Sequence, residues 1–206
     1  MAVSKTFPPE RIREAYDAGL RLFGENRVQE FAHKWPALRN LPDAEWHMIG
    51  HLQSNKAARA AELFAGIDSL DSVRLAEKLN LSARLLGRKL AVLVEINMGE
   101  EAAKSGVAPE SRALNELLEK AAELDHLEFR GLMAIPPFTE DPEQARPFFR
   151  HLRELRDQIA ARKLASVGMH VLSMGMSHDF EVAIEEGSTC VRIGTAIFGE
   201  RTATNI

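Results

Sequence analysis

The chain has 206 residues, 45% of them hydrophobic and 27% charged, so one domain with a substantial buried core is expected and a disordered chain is excluded. A formal net charge of −4, with Lys and Arg interspersed among Asp and Glu, offers no basic track for a nucleic-acid partner. The single cysteine, Cys190, cannot form an internal disulfide, and no apolar run is long enough for a bilayer span or a signal peptide; a cytoplasmic protein with no membrane partner is expected.

Short apolar runs alternate with amphipathic stretches along the whole sequence. The first run, Ala2-Val3-Ser4, leads through Lys5 to Pro8-Pro9-Glu10, a proline and an acid where a helix N-terminus favours them. Leu22-Phe23-Gly24, Trp46-His47-Met48-Ile49 and Gly66-Ile67-Asp68 supply runs two to four. Asp71-Ser72 precedes a helix over residues 76–86 that ends at Gly87, and the fifth run covers residues 90–96. Pro109-Glu110 opens the next helix, whose apolar face is Leu114, Leu117, Leu118, Ala121 and Leu124. After the sixth run, residues 129–135, Asp141-Pro142-Glu143 opens a helix through Phe148, Phe149, Leu152, Leu155 and Ile159. Runs seven and eight fall at residues 169–174 and 190–198.

Such runs are what buried parallel strands look like in sequence. Eight of them alternating with helices predict an α/β fold, a single (β/α)8 TIM-type barrel in which residues 1–206 form one domain; a doubly wound open sheet is the competing architecture. The first run begins almost at Met1, so the lower mouth of the barrel is expected to be open.

In such a barrel, functional groups sit on the loops after the strands. Lys5 falls there, after strand one, where an apolar wall would favour a neutral, nucleophilic amine; alone, it also reads as a solvated surface lysine. Leu172-Ser173-Met174-Gly175-Met176-Ser177 at the end of strand seven and Val191-Arg192-Ile193-Gly194-Thr195 at the end of strand eight carry the small and hydroxyl residues that gather backbone N–H groups around an anion. Their pairing in that order points to a phosphate. Asn26 and His47 are expected at the ends of strands two and three, facing the same mouth, with a capped turn and a barrel-layer histidine as their ordinary alternatives. Cys190 reads as a small buried hydrophobe, and the histidines show no metal spacing.

Further motifs run in order through the chain: Phe23-Gly24-Glu25-Asn26-Arg27-Val28-Gln29-Glu30, the stretch from Trp46 through Gly50-His51-Leu52-Gln53-Ser54-Asn55-Lys56, Glu95-Ile96-Asn97, Lys104-Ser105-Gly106 and Gly131-Leu132-Met133-Ala134-Ile135. With these the sequence resembles the pyridoxal phosphate homeostasis family, related to the N-terminal barrel of alanine racemase. The resemblance implies that pyridoxal 5′-phosphate (PLP) is held as a Schiff base on Lys5, with Ser173, Gly194 and Thr195 at the phosphate and Arg192 facing the pyridine nitrogen. Asn26 would reach the ring or its 3-hydroxyl and His47 would lie beside it. Family members usually carry a helix-length segment before strand one and a tyrosine where this chain has Phe23; both are departures.

Racemisation of an amino acid on PLP needs an acid and a base on opposite faces of the substrate. The only tyrosine, Tyr16, falls on the first helix, and the sequence ends at Ile206 without a second domain to supply another. The expected function is therefore a monomeric PLP-binding protein of intracellular PLP homeostasis without catalytic turnover, with apo-forms of PLP-dependent enzymes as partners. The alternatives are a weak PLP-dependent amino-acid racemase and a barrel that binds another phosphorylated metabolite.

Overall fold

The computed structural model describes residues 1–99 and 105–200; Lys104 of the Lys-Ser-Gly motif and the last six residues lie outside the described residues. Eight parallel strands form one sheet in chain order: β1 Ala2–Val3, β2 Leu22–Glu25, β3 Glu45–Met48, β4 Gly66–Leu70, β5 Leu90–Ile96, β6 Leu127–Ala134, β7 Val167–Met176 and β8 Cys190–Arg192. Among the described residues, eight α-helices lie between and after them: α1 Pro9–Asp17, α2 Val28–Leu38, α3 Ala57–Leu63, α4 Val73–Leu85, α5 Arg112–Lys120, α6 Arg146–Ala161, α7 Phe180–Glu185 and α8 Thr195–Phe198. The sheet closes on itself. Val3 N–H donates to Ile193 O at 2.8 Å, Ile193 N–H to Met1 O at 2.9 Å, and the Met1 ammonium to Val191 O at 3.0 Å.

Strand alternation sorts side chains between the barrel interior and the helical ring. In β2 and β3, Phe23 and Trp46 face outward and stack at 4.7 Å; Phe31 of α2 lies 4.9 Å from Trp46 and from Phe64, forming one aromatic core between sheet and helices. The predicted apolar faces are buried as expected, with Leu114, Leu117 and Leu118 of α5 and Phe149, Leu152, Leu155 and Ile159 of α6 all under 4% exposed. Gly131 lets β6 and β7 approach, since a Cβ there would fall 1.8 Å from Val171 O.

The eighth run is shorter as a strand than its apolar residues suggest. β8 stops at Arg192, and residues 195–198 form the short helix α8. The helix expected at Pro109-Glu110 starts at Arg112 instead, where Ser111 Oγ caps it by accepting from Leu114 N–H.

Candidate functional site

Lys5 follows a strand of only two residues, so its position is set by what holds its neighbours. Ser4, before it, is fully buried; its hydroxyl donates to Glu25 Oε1 at 2.7 Å and its carbonyl accepts from Lys34 Nζ at 3.1 Å. Thr6, after it, sits at φ 69° and donates its N–H to Glu30 Oε1 at 2.6 Å. Lys34, one helical turn beyond Glu30 on α2, closes the network: its ammonium lies 3.1 Å from both Glu25 oxygens and 2.7 Å from Glu30 Oε1. Burial raises the Glu25 carboxyl above its ordinary value, against the opposing pull of Lys34 and Ser4. Burial acts on Glu30 in the same direction, but the bonds from Lys34 and Thr6 outweigh it and leave that carboxyl low.

β8 lies beside β1 across the closure. Arg192 is 3% exposed and points along the sheet, donating from one terminal nitrogen to Ser173 Oγ and from the other to Ala134 O, each at 2.8 Å. Burial lowers the Arg192 pKa, yet a guanidinium remains charged under any physiological condition. Ser173 is thus fully buried as the partner of Arg192. The hydroxyl placed against the loop after β8 is that of Ser177, on which the N–H groups of Gly194 and Ala196 converge at 3.2 and 3.5 Å. Sequence reasoning singled out the segment containing Ser177 without choosing that residue, because nothing in the one-dimensional pattern separates two serines four positions apart. Thr195 opens α8, and Phe198 at its end stacks on Phe7 at 4.8 Å, tying the β1 and β8 loops together.

Lys5, Asn26, Arg192, Gly194 and Thr195 therefore share the C-terminal end of the barrel near the closure, with Asn26 just beyond β2. Asn26 lines a cleft of ≈ 380 Å³ with Arg27, Gln29, Met48, Gly50 and Lys56. Gly50 is required by this packing, because a Cβ would fall 2.4 Å from Asn26 O.

His47 lies elsewhere. It pairs in register with Gly24 and Gly66, and its Nδ1 is 2.7 Å from Asp68 Oδ1 inside the barrel. It lines a cavity of ≈ 500 Å³ at the N-terminal ends of the strands, with Met1, Leu22, Glu45, Arg130 and His170. Cys190 lines the same lower cavity and is half-buried, not fully enclosed; burial raises its thiol pKa, which disfavours a nucleophilic thiolate. Glu95 was named in the sequence only as part of a motif, with no role of its own. It is 6% exposed near the end of β5, opposite β1 in the ring of strands, and burial raises its carboxyl above the ordinary value. Among the described residues no group of His, Cys, Asp and Glu could hold a metal, and no helix is long and apolar enough to cross a membrane.

The profile of the family described as "Alanine racemase, N-terminal domain" matches residues 1–202. The chain is 52% identical to a pyridoxal phosphate homeostasis protein of Aquifex aeolicus over 98% of its own length and 86% of the relative's. It is 45% identical to one from Pseudomonas aeruginosa, over 98% and 84%. PipY of Synechococcus elongatus, solved with PLP bound, superposes with a TM-score of 0.89 at 40% identity, covering 97% of this chain and 91% of PipY. An alanine racemase of Clostridium difficile shares the fold at a TM-score of 0.79 and 15% identity, over 99% of this chain and 52% of the racemase. The chain belongs to the alanine racemase N-terminal-domain family and, within it, to the pyridoxal phosphate homeostasis proteins.

Proposed function

We propose that this protein binds PLP at the C-terminal mouth of the barrel and takes part in intracellular PLP homeostasis, without catalytic turnover. The observation that carries the reading is the meeting, at one seam of the barrel, of a lysine, a buried guanidinium and a pair of converging backbone amides. These are donors suited to an aldehyde, a ring nitrogen and a phosphate. Lys5 would hold the cofactor through its amine, and the cofactor, when bound, would supply the electrophilic aldehyde.

The remaining work belongs to the chain's own residues. The Glu25–Lys34–Glu30 network fixes the backbone on both sides of Lys5. Ser177 orients the Gly194 and Ala196 amides, and Thr195 stands between them at the start of α8. Asn26 completes the mouth on the β2 side. Ser173 and Ala134 O hold Arg192, whose permanent charge cannot lend a proton to a ring nitrogen. A ring left unprotonated is a poor electron sink, which favours holding the cofactor over turning it over. Tyr16 supports the same conclusion: its hydroxyl donates to Pro42 O at 2.7 Å and its ring carries Arg21 on the outside of the barrel, away from the mouth.

The partners of this reading are PLP and, as recipients, apo-forms of PLP-dependent enzymes, met by a monomer in the cytoplasm. Its test is the near-violet absorbance of the protein after PLP addition, followed by borohydride reduction and peptide mapping. A pyridoxyl adduct on Lys5, lost in Lys5→Ala, is expected; an unmodified Lys5 overturns the reading. Incubation of loaded protein with L-alanine in deuterated solvent should leave the α-proton in place, and its exchange would establish an enzyme.

A further inference from the structure

A buried carboxylate needs hydrogen-bond donors on both oxygens. Glu95 has one: Oε1 accepts from Ser105 Oγ at 2.9 Å, while Oε2 is buried with no hydrogen-bond partner among the described residues. The side chain lines a cavity of ≈ 630 Å³ at the C-terminal ends of β5 and β6, together with His51, Ile96, Asn97, Ile135 and Pro136. That volume lies within the ordinary range for small-molecule sites. No lysine or arginine lines it among the described residues, and the imidazole of His51 is engaged by Asp71 Oδ2 at 3.3 Å.

We propose that this cavity recognises a primary ammonium group on an apolar stem, with Glu95 as its anchor. An ammonium supplies the donor that Oε2 lacks and the charge that makes ionised Glu95 tolerable. A neutral polar ligand would supply only the first. Ile135, 44% exposed, and Pro136 line the same cavity with apolar surface suited to a methylene chain. A free amino acid would bring its own carboxylate up against Glu95 and Asp71, so the ligand chemistry that fits is the side chain of lysine. Because β5 stands across the ring from β1, such an ammonium would enter the same mouth as Lys5. This deepens the proposed function and rests on it for its biological meaning: the recipient of the cofactor would present its lysine here.

The test uses the full chain without PLP, so that no covalent reaction intervenes, and measures calorimetric binding of Nα-acetyl-lysine methylamide. The norleucine analogue lacks the ammonium, and L-alanine represents free amino acids. The lysine compound should bind, the norleucine compound should not, and L-alanine should be weaker. Glu95→Gln should weaken the lysine compound by about tenfold or more. In the unaltered protein the Glu95 side-chain carboxyl 13C resonance should move on titration, a readout that needs no variant. Equal binding by Glu95→Gln, equal binding of the norleucine compound, or an unmoved resonance would overturn the proposal, and tighter binding of L-alanine would overturn lysine as the source. A Lys5 adduct with no lysine binding removes this site alone. Lysine binding without a Lys5 adduct keeps the site and removes the cofactor reading.

Discussion

Replacing Lys34 by Met would remove the ammonium that serves Ser4 O, Glu25 and Glu30 while keeping a side chain of similar length. Glu25, fully buried, would keep only the Ser4 hydroxyl as a partner. Leaving it ionised would cost roughly 3–5 kcal/mol, as for other broken buried pairs. Protonation offers an escape: holding a carboxyl of ordinary value 4.5 neutral at pH 7 costs about 3.4 kcal/mol, and at pH 5 about 0.7 kcal/mol. The cheaper route sets the loss, so the variant should be about 3 kcal/mol less stable at pH 7 and about 1 kcal/mol less stable at pH 5. Burial already raises Glu25 above 4.5 against the pull of Lys34, and without Lys34 it rises further, so the added loss is absent below 4.5 and grows as pH rises toward the folded-state value of the variant. Urea unfolding at the two pH values measures this directly. Equal losses at both, or a loss under about 1 kcal/mol at pH 7, would refute the argument that Lys34 neutralises a buried charge.

Two further substitutions separate packing from cofactor binding. Gly50→Ala places a methyl 2.4 Å from Asn26 O and 2.9 Å from Asn26 Cα, atoms of the backbone that cannot rotate away; unfolding in urea should show a loss of about 1–3 kcal/mol. Ser177→Ala removes the hydroxyl on which the Gly194 and Ala196 amides converge, and fluorescence titration should show PLP affinity falling about tenfold with thermal stability nearly unchanged. An unchanged affinity would detach Ser177 from the phosphate.

The barrel was legible because its strands are buried on both faces and read as unbroken apolar runs, as in Leu90–Ile96, where every residue is buried. The same rule misread residues 193–198, since apolar content does not reveal that Gly194 turns the chain into a helix. α2 went unread for a more instructive reason: its inward positions are Val28, Phe31, Lys34 and Leu38, and a lysine in the stripe breaks the apolar period. The partner that makes Lys34 acceptable there lies in β2, beyond any local pattern. His47 was misplaced because a strand's alternation gives its face without its depth; the pairing with Gly24 and Gly66, visible only in three dimensions, puts it beside Asp68 in the lower cavity. Lys5 and Arg192 stand at the ends of β1 and β8, as read from the sequence, because the apolar residues before each of them mark where the strand stops.

The closure between β1 and β8 has a consequence for retention. β1 contributes two residues and β8 three, so the seam is the shortest stretch of pairing around the ring and a natural place for the barrel to breathe. Lys5 stands on one side of that seam and the Gly194 and Ala196 amides on the other. A ligand that engaged both would act as a rivet, raising the melting temperature in proportion to the logarithm of its concentration. In the other direction, a transient parting of the seam would free only the end held by the Gly194 and Ala196 amides, so that a ligand bonded to Lys5 would swing out on that one tether and leave only when water or another amine took the place of the lysine.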